Sequence, residues 1–175
     1  LENYYLTTIQ KKNLPKKKYK YNFNESGFYK YKNKNLYLIC FFGSIACNYQ
    51  PGHSHANTLS FEMSYKKNII FRNPGISTYN SNPKRLKERS SSNYNMLQLS
   101  NYNSNEIWKS FRVGRRAKVY DFDISNDNSE FKICASHNGY SKFGVIHNRT
   151  IKVKGATMEI VDKILRDYDV LSFGD

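Results

Sequence analysis

Two histidines, His53 and His55, lie two residues apart in the segment Pro51–Asn57. On an extended backbone, residues i and i+2 point to the same side, so both imidazoles can serve one site. Histidine transfers protons near neutral pH and is a common metal ligand. The pair therefore indicates a catalytic or metal-binding site, although two partly exposed histidines without a chemical role would give the same pattern.

A second concentration of chemistry is a group of three arginines, Arg112, Arg115 and Arg116, close to Trp108 and Phe111. A guanidinium group can bind a carboxylate or sulfate through two parallel hydrogen bonds, and an aromatic face can stack on a sugar ring. In the alternative interpretation the two aromatic residues belong to the core. The arginines would then pair with nearby acidic residues, namely Glu106, Asp121 and Asp123.

The elements that must position these residues are predicted to be strands. Apolar residues recur at every second position in most of the chain, as in strands with one buried face. The segments with this pattern or with a continuous apolar run are 37–42, 59–63, 69–71, 131–135, 145–153 and 157–165. Many short strands without alternating helices predict an all-β fold, an antiparallel β-sandwich.

Turn and helix signals complete this prediction. Lys67 and Asn68 separate two strands as a tight hairpin would, and Asn138–Gly139 is a strong hairpin signal because both residues tolerate positive φ. The only helical candidate is Pro83–Arg89, which offers little except Leu86 to bury. We therefore expect a loop or a single turn there. Tyr140 is expected to pack against the hairpin.

The composition limits the classes of function. The chain has 175 residues, 28 Lys and Arg against 14 Asp and Glu, and a formal net charge of +14. This excess favours a polyanionic partner. However, the abundant Lys, Asn, Ile and Tyr all have A/T-rich codons, so genomic base composition can also supply much of the charge. No apolar run approaches the roughly 20 residues of a membrane-spanning helix, and no nucleic-acid-binding motif is present.

The domain organisation is predicted to be simple. Residues 1–21 are rich in lysine and poor in apolar residues, so we interpret them as a basic linker or edge segment. Residues 22–175 form one β-sandwich domain, which we expect to be incomplete at its carboxyl end and to be a piece of a longer protein. The three cysteines have no C-x-x-C spacing, and Cys40 and Cys134 are expected to be buried thiols.

An ordered set of short motifs resembles the carboxy-terminal β domain of the heparinase II/III-like polysaccharide lyases. The set begins near Glu25 and keeps the family's order and approximate spacing. Its members are 25–29, 49–56, 59–62, 73–75, 78–79, 106–108, 110–117, 137–140 and 144–147. Each motif alone is weak, but the ordered set is specific.

The resemblance implies a parent in which an α/α toroid precedes this β-sandwich and an acidic polysaccharide is cleaved by β-elimination. In that reaction a uronate carboxylate is neutralised, a base removes the proton on C5, and an acid protonates the oxygen leaving C4. In the family the toroid supplies a tyrosine and a histidine or asparagine. The β domain supplies the first histidine of the H-x-H pair, which is His53 here. The domain alone is then expected to be inactive.

The resemblance also implies a structural zinc site, whose positions correspond to His55, Asn73 and Tyr94. Zinc binds thiolate, imidazole or carboxylate groups in a closed tetrahedral set. An amide and a phenol are poor substitutes, so this ligand set is degraded, and Asn57 stands where relatives usually have an acidic residue. We expect no metal, with the three side chains hydrogen-bonded instead, although zinc stays an alternative.

The sequence thus supports two functional hypotheses. The first is the β-sandwich part of a lyase with His53 as its catalytic residue; acidic polysaccharide is bound by the three arginines, Trp108 and Tyr79. The second is a non-catalytic carbohydrate-binding domain of a degenerate lyase. The family's substrates favour the periplasm or the cell exterior. His137 and His147 are expected to be hydrogen-bonded sheet residues.

Overall fold

The computed structural model describes residues 26–127 and 130–166. The predicted basic segment 1–21 and both ends of the predicted domain therefore lie outside the described residues. The strands are β1 (Phe28–Lys32), β2 (Leu36–Phe41), β3 (Ser60–Tyr65), β4 (Asn68–Phe71), β5 (Ile107–Trp108), β6 (Arg112–Val113), β7 (Val119–Asn126), β8 (Glu130–His137), β9 (Val145–Lys154) and β10 (Thr157–Arg166). The helix α1 spans Pro83–Arg89.

Two four-stranded antiparallel sheets form the architecture. One has the order β1-β2-β3-β4 and the other β10-β9-β8-β7, while β5 and β6 form a separate two-stranded hairpin. Apolar side chains from both sheets meet in one buried core, which includes Leu38, Cys40, Phe61, Ile133 and Ile151. The predicted antiparallel β-sandwich is confirmed, and it follows from the alternation of apolar residues that gives each sheet one face to bury.

Two of the predicted turns differ in detail. The β3–β4 hairpin turns at Lys66 and Lys67, both with positive φ, one residue earlier than predicted. Strands β8 and β9 do pair, but seven residues join them. At Gly139 the backbone passes close to Ser104: a Cβ atom at this position would lie 2.5 Å from the Ser104 carbonyl oxygen.

The prediction of a loop or single turn at Pro83–Arg89 was wrong. Asn82 caps an α-helix there by accepting a hydrogen bond from the Arg85 backbone N–H, and Pro83 occupies the first turn. Leu86 is 37% exposed, whereas Arg85 and Arg89 are completely buried. The helix therefore packs through the face that carries its two arginines, which an apolar periodicity cannot reveal.

The cysteines are reduced, and their positions differ. Cys40 is buried in the core, as predicted, while Cys134 is only half-buried on β8 and Cys47 is exposed. Burial raises the pKa of the Cys40 thiol far above its ordinary value. Within the described residues, no helix is long and apolar enough to cross a membrane.

Candidate functional site

The histidine pair lies in the irregular connection between β2 and β3. A turn closed by the Ser54 N–H and the Pro51 carbonyl oxygen (2.9 Å) places His53 at its apex, so the predicted extended segment was wrong. The His53 imidazole is exposed, whereas His55 is half-buried, and the two rings contact different residues. The exposed ring of His53 is therefore available to a ligand.

His53 belongs to a cluster with two exposed aromatic side chains, which we call the imidazole–aromatic cluster (His53, Tyr79 and Phe111). The His53 ring lies edge-on to Tyr79 and Phe111, at centroid distances of 5.9 and 5.5 Å. Tyr79 and Phe111 stack at 5.8 Å with an interplanar angle of 15°. They are 59% and 42% exposed, so aromatic surface borders the imidazole. The structure thus brings together two predicted site residues, His53 and Tyr79.

The interpretation that Trp108 and Phe111 are core residues was wrong. Trp108 is 43% exposed and Phe111 42% exposed. They flank the turn of the β5–β6 hairpin, whose strands have only two residues each and belong to neither large sheet. The two aromatic side chains therefore keep part of their surface in contact with solvent.

Arg85 lies beneath the cluster and contacts both aromatic rings. Its guanidinium carbon is 4.9 Å from the centroid of Tyr79 and 4.7 Å from that of Phe111. Its Nη1 donates to the Thr78 carbonyl oxygen (3.0 Å) and its Nε to that of Ser110 (2.9 Å). These two carbonyls directly precede the two aromatic residues. One buried side chain therefore fixes the backbone on which each ring stands.

Arg89, one helical turn after Arg85, fixes the histidine loop in the same way. Its Nε and Nη2 donate to the Ser54 carbonyl oxygen at 3.1 and 3.0 Å, directly after His53. Its Nη1 donates to the carbonyl oxygens of Lys109 (3.1 Å) and Ser110 (2.8 Å). Residues i and i+4 share a helix face. The two arginines of α1 thus hold the three loops of the imidazole–aromatic cluster together.

The charges of these arginines are not neutralised by contact with a carboxylate. Among the ion pairs of the described residues, neither Arg85 nor Arg89 takes part. Burial and the nearby Arg85 charge lower the pKa of Arg89. Sequence reasoning missed both residues, because each was treated as a solvated charge. The spacing of four residues between two arginines in a helix was the only available signal.

The predicted arginines near this site have different environments. Arg115 is held by the carbonyl oxygen of Gly139 (2.9 Å) and by an ion pair with Glu106 (3.6 Å). Arg116 donates to the Cys47 carbonyl oxygen (2.9 Å) and has no carboxylate partner among the described residues. The side chain of Arg112 is exposed. Among these three arginines, the alternative pairing with an acidic residue is seen within the described residues only at Arg115.

A cavity of about 810 Å³ receives two of these arginines, and we call it the basic cavity. Arg115, Arg116 and Lys118 supply its positive charges. Trp108 lies beside it, because a Cβ atom on Gly114 in the cavity wall would be 3.0 Å from the Trp108 ring. Three residues of extended chain, roughly 10 Å, join Phe111 to Gly114. The hairpin therefore links the basic cavity to the imidazole–aromatic cluster.

The three positions of the implied zinc site also lie together, but their chemistry does not suit zinc. A hydrogen bond joins His55 Nδ1 to the Tyr94 hydroxyl, and Asn73 Oδ1 accepts from the Asn95 N–H (3.2 Å). Burial raises the pKa of Tyr94 to about 12, so its phenol stays protonated. Within the described residues no three His, Cys, Asp or Glu side chains form a group that could hold a metal ion.

His137 and His147 are buried and hydrogen-bonded, as predicted. His137 Nε2 and His147 Nδ1 are 2.9 Å apart, and His147 Nε2 lies 2.7 Å from Asp162 Oδ1. Tyr140 is fully buried beside His137, and its hydroxyl donates to the Leu97 carbonyl oxygen at 3.0 Å. These residues belong to the interior of the second sheet and not to the exposed cluster.

Comparisons with known proteins agree with this architecture. The model of the family described as "Heparinase II/III-like, C-terminal" matches residues 15–169. A search of curated proteins found no match. A solved structure of a heparinase III with methylated lysines is similar, with a TM-score of 0.62 and 17% sequence identity. The similarity covers 81% of this chain and 21% of that chain, so this chain corresponds to about a fifth of that protein.

Proposed function

The chain belongs to the heparinase II/III-like family, and from this premise we propose that it is the β-sandwich part of a polysaccharide lyase that cleaves an acidic, uronate-containing polysaccharide by β-elimination. In this proposal His53 is the residue of the domain that exchanges a proton with the sugar. The tyrosine and the second proton-transfer residue come from an amino-terminal α/α toroid of the parent protein. An extracellular acidic glycan as substrate would place that parent in the periplasm or outside the cell.

The observation that carries this proposal is the environment of His53. Its exposed imidazole stands edge-on to two exposed aromatic rings, and the buried guanidinium of Arg85 contacts both of those rings. Aromatic faces stack on sugar rings, and an imidazole beside them reaches the groups of a stacked sugar. In the elimination, the C5–H and C4–O bonds break, a C4–C5 double bond forms, and the leaving oxygen takes up a proton. A proton-transferring group at the sugar is what this reaction requires.

The charge distribution supports an anionic substrate. Arg85 and Arg89 place two positive charges beneath the imidazole–aromatic cluster, and the basic cavity adds Arg116 and Lys118. Positive charge close to the carboxylate of a uronate favours the enolate-like charge that develops when the C5 proton leaves. Among the predicted substrate-binding residues, Arg116 and Arg112 are free to meet a carboxylate. Arg115 mainly holds its own loop.

The test is the activity of the full-length parent on a panel of uronate polysaccharides, measured by the ultraviolet absorbance of the unsaturated product. We expect His53→Ala to lower kcat by roughly 10²- to 10⁴-fold, the usual contribution of one general acid or base. The control is Tyr49→Ala, because Tyr49 lies in the same connection, is 88% exposed and is outside the cluster. Unchanged turnover in the His53 variant would refute the catalytic assignment.

A second candidate function is a non-catalytic carbohydrate-binding domain of a degenerate lyase. The observation in its favour is that Asn73 and Tyr94 occupy positions where the family resemblance implies metal ligands, while the exposed aromatic rings of the cluster are retained. Binding of uronate polysaccharide by the parent, without any unsaturated product from the whole panel, would favour this candidate over the lyase.

A further inference from the structure

We propose that His55, Asn73, Tyr94 and Asn95 form a metal-independent polar clamp that holds the His53 loop in the place where the family resemblance implies zinc. The clamp joins three segments: the connection before β3, the residues after β4, and the residues after α1. The clamp consists of hydrogen bonds between the groups present, and it does not depend on whether the parent is a lyase.

The first half of the clamp is the pair His55 and Tyr94. Their rings are half-buried, with centroids 5.7 Å apart, and the Tyr94 hydroxyl and His55 Nδ1 share a hydrogen bond. A phenol and an imidazole satisfy each other through this hydrogen bond without a metal ion, and the His55 nitrogen that faces Tyr94 is already occupied.

The second half is the pair Asn73 and Asn95. Asn73 Oδ1 accepts from the backbone N–H of Asn95 at 3.2 Å and from its side-chain Nδ2 at 3.3 Å. The Asn95 Nδ2 also lies 3.1 Å from the Phe61 carbonyl oxygen on β3. Because Asn95 directly follows Tyr94, the two halves act on the same backbone. Asn73 offers no carboxylate to a zinc ion, and its amide oxygen instead accepts two N–H groups.

The clamp residues converge on one space, as a ligand set would. Asn73 and Tyr94 both line a cavity of about 250 Å³, whose wall also contains Asn57 and Glu62. His55 is hydrogen-bonded to Tyr94 and therefore lies next to this cavity. His53 is only two residues from His55, so the clamp determines where the exposed imidazole stands. The three positions therefore lie close together, and the bonds that hold them are hydrogen bonds of a polar network.

The first experiment measures metal content and thermal stability of the purified chain. We expect less than a tenth of an equivalent of zinc by elemental analysis, and the same Tm with EDTA or with added Zn²⁺. Tyr94→Phe should lower Tm by roughly 2–8 °C, because it leaves a half-buried nitrogen without its partner, and the decrease should be equal with and without EDTA. One equivalent of zinc, or a Tm lowered by EDTA, would overturn the proposal.

The second experiment restores the missing ligands. The double variant Asn73→Asp/Tyr94→His supplies one carboxylate and one imidazole beside His55, a set that suits Zn²⁺. We expect its Tm to rise by roughly 5–10 °C at zinc concentrations a hundredfold above the dissociation constant. Each single substitution is the matched control and should respond less. No zinc response in a folded double variant would show that the three positions do not converge. If the double variant does not fold, the metal content of the unmodified chain and Tyr94→Phe still decide the proposal.

Discussion

Two regions of the molecule bury arginine in opposite ways. Beneath the imidazole–aromatic cluster, Arg85 and Arg89 are fully buried and bind backbone carbonyl oxygens and aromatic faces. In the second sheet, Arg149 is 4% exposed and binds both carboxylate oxygens of Asp162, at 2.7 and 2.8 Å. The first region therefore keeps its positive charge, whereas in the second region a carboxylate neutralises it.

The difference corresponds to what each region must do. Arg149 also donates to the carbonyl oxygens of Leu59 and Asn95, so the neutral ion pair fastens the second sheet to the loops around the first. The guanidinium of Arg85 lies under exposed aromatic rings, and within the described residues neither Arg85 nor Arg89 forms an ion pair with a carboxylate. Under the proposed function, this is the face that an anionic polysaccharide would meet.

The histidines of the two regions also differ in exposure and in hydrogen bonding. His53 is exposed at the apex of a turn, whereas His137 and His147 form a buried chain of hydrogen bonds that ends at Asp162. The Gly139 N–H donates to His137 Nδ1 at 3.0 Å, so the proton of that ring is on Nε2, which faces His147. Every ring nitrogen of the buried pair has a partner. No nitrogen is left to act on a ligand.

The largest effect on stability is expected from breaking the neutral ion pair. Arg149→Met should lower the free energy of unfolding by roughly 3 kcal/mol, because it leaves the Asp162 carboxylate without its main partner. The value lies at the low end for a buried pair because the Asp162 side chain keeps 23% exposure. Arg89→Met should cost less, roughly 1–2 kcal/mol, because it leaves only carbonyl groups unpaired and removes a buried charge. Urea denaturation measures both.

The matched control is Lys152→Met, also on β9. The Lys152 ammonium group pairs with Glu159 at 3.5 Å, but both side chains are about half exposed. Such a pair contributes roughly 0–1 kcal/mol. If Arg89→Met lowers the free energy of unfolding as much as Arg149→Met does, the distinction between an arginine with a carboxylate partner and one without would be wrong.

An effect of comparable size is expected from acid. Burial, followed by the charges of His147 and Arg149, lowers the pKa of His137 to about 3 from an ordinary 6.5, and Arg115 acts in the same direction while Asp162 opposes it. Between these values the unfolded chain binds more protons than the folded chain. Stability is therefore complete above pH 6.5 and falls as pH decreases toward 3, by at most about 1.4 kcal/mol for each pH unit.

Asp162 adds to this loss only at lower pH. Burial by itself would raise its pKa, but the hydrogen bonds from His147 and Arg149 hold the pKa well below its usual range. Urea denaturation between pH 7 and 4 measures the slope. The control is His137→Gln, whose amide can still accept the Gly139 N–H but cannot bind a proton. An equally steep slope in that variant would show that another group causes the acid sensitivity.

The fold was predictable because alternation of apolar residues reports directly on which face of a strand is buried. Residues 59–63 and 131–135 alternate in the sequence and form the core strands β3 and β8. His53 was predicted as a site residue from its spacing and from the family resemblance, and the structure shows that its imidazole is exposed. Arg85 and Arg89 were missed because a long cationic side chain buried among carbonyl oxygens has no signature in hydropathy. Whether Phe111 belongs to the core stayed open, because composition cannot show that a hairpin with two-residue strands lies outside both sheets.

The smallest expected change in stability distinguishes two neighbouring arginines of the basic cavity. Within the described residues Arg116 makes one hydrogen bond, to the Cys47 carbonyl oxygen, so Arg116→Met should change the free energy of unfolding by less than about 0.5 kcal/mol. Its guanidinium has no carboxylate partner there, and we expect its loss to weaken binding of whichever uronate polysaccharide of the panel is bound by roughly tenfold. Arg115→Met should lower the stability more and the affinity less, because Arg115 is held by Glu106 and Gly139. Calorimetric titration measures the affinity of both variants, and urea denaturation measures their free energy of unfolding. Equal effects on affinity would mean that the basic cavity acts only through its total charge. The contrast between arginines with and without a carboxylate partner would then apply only to α1 and β9.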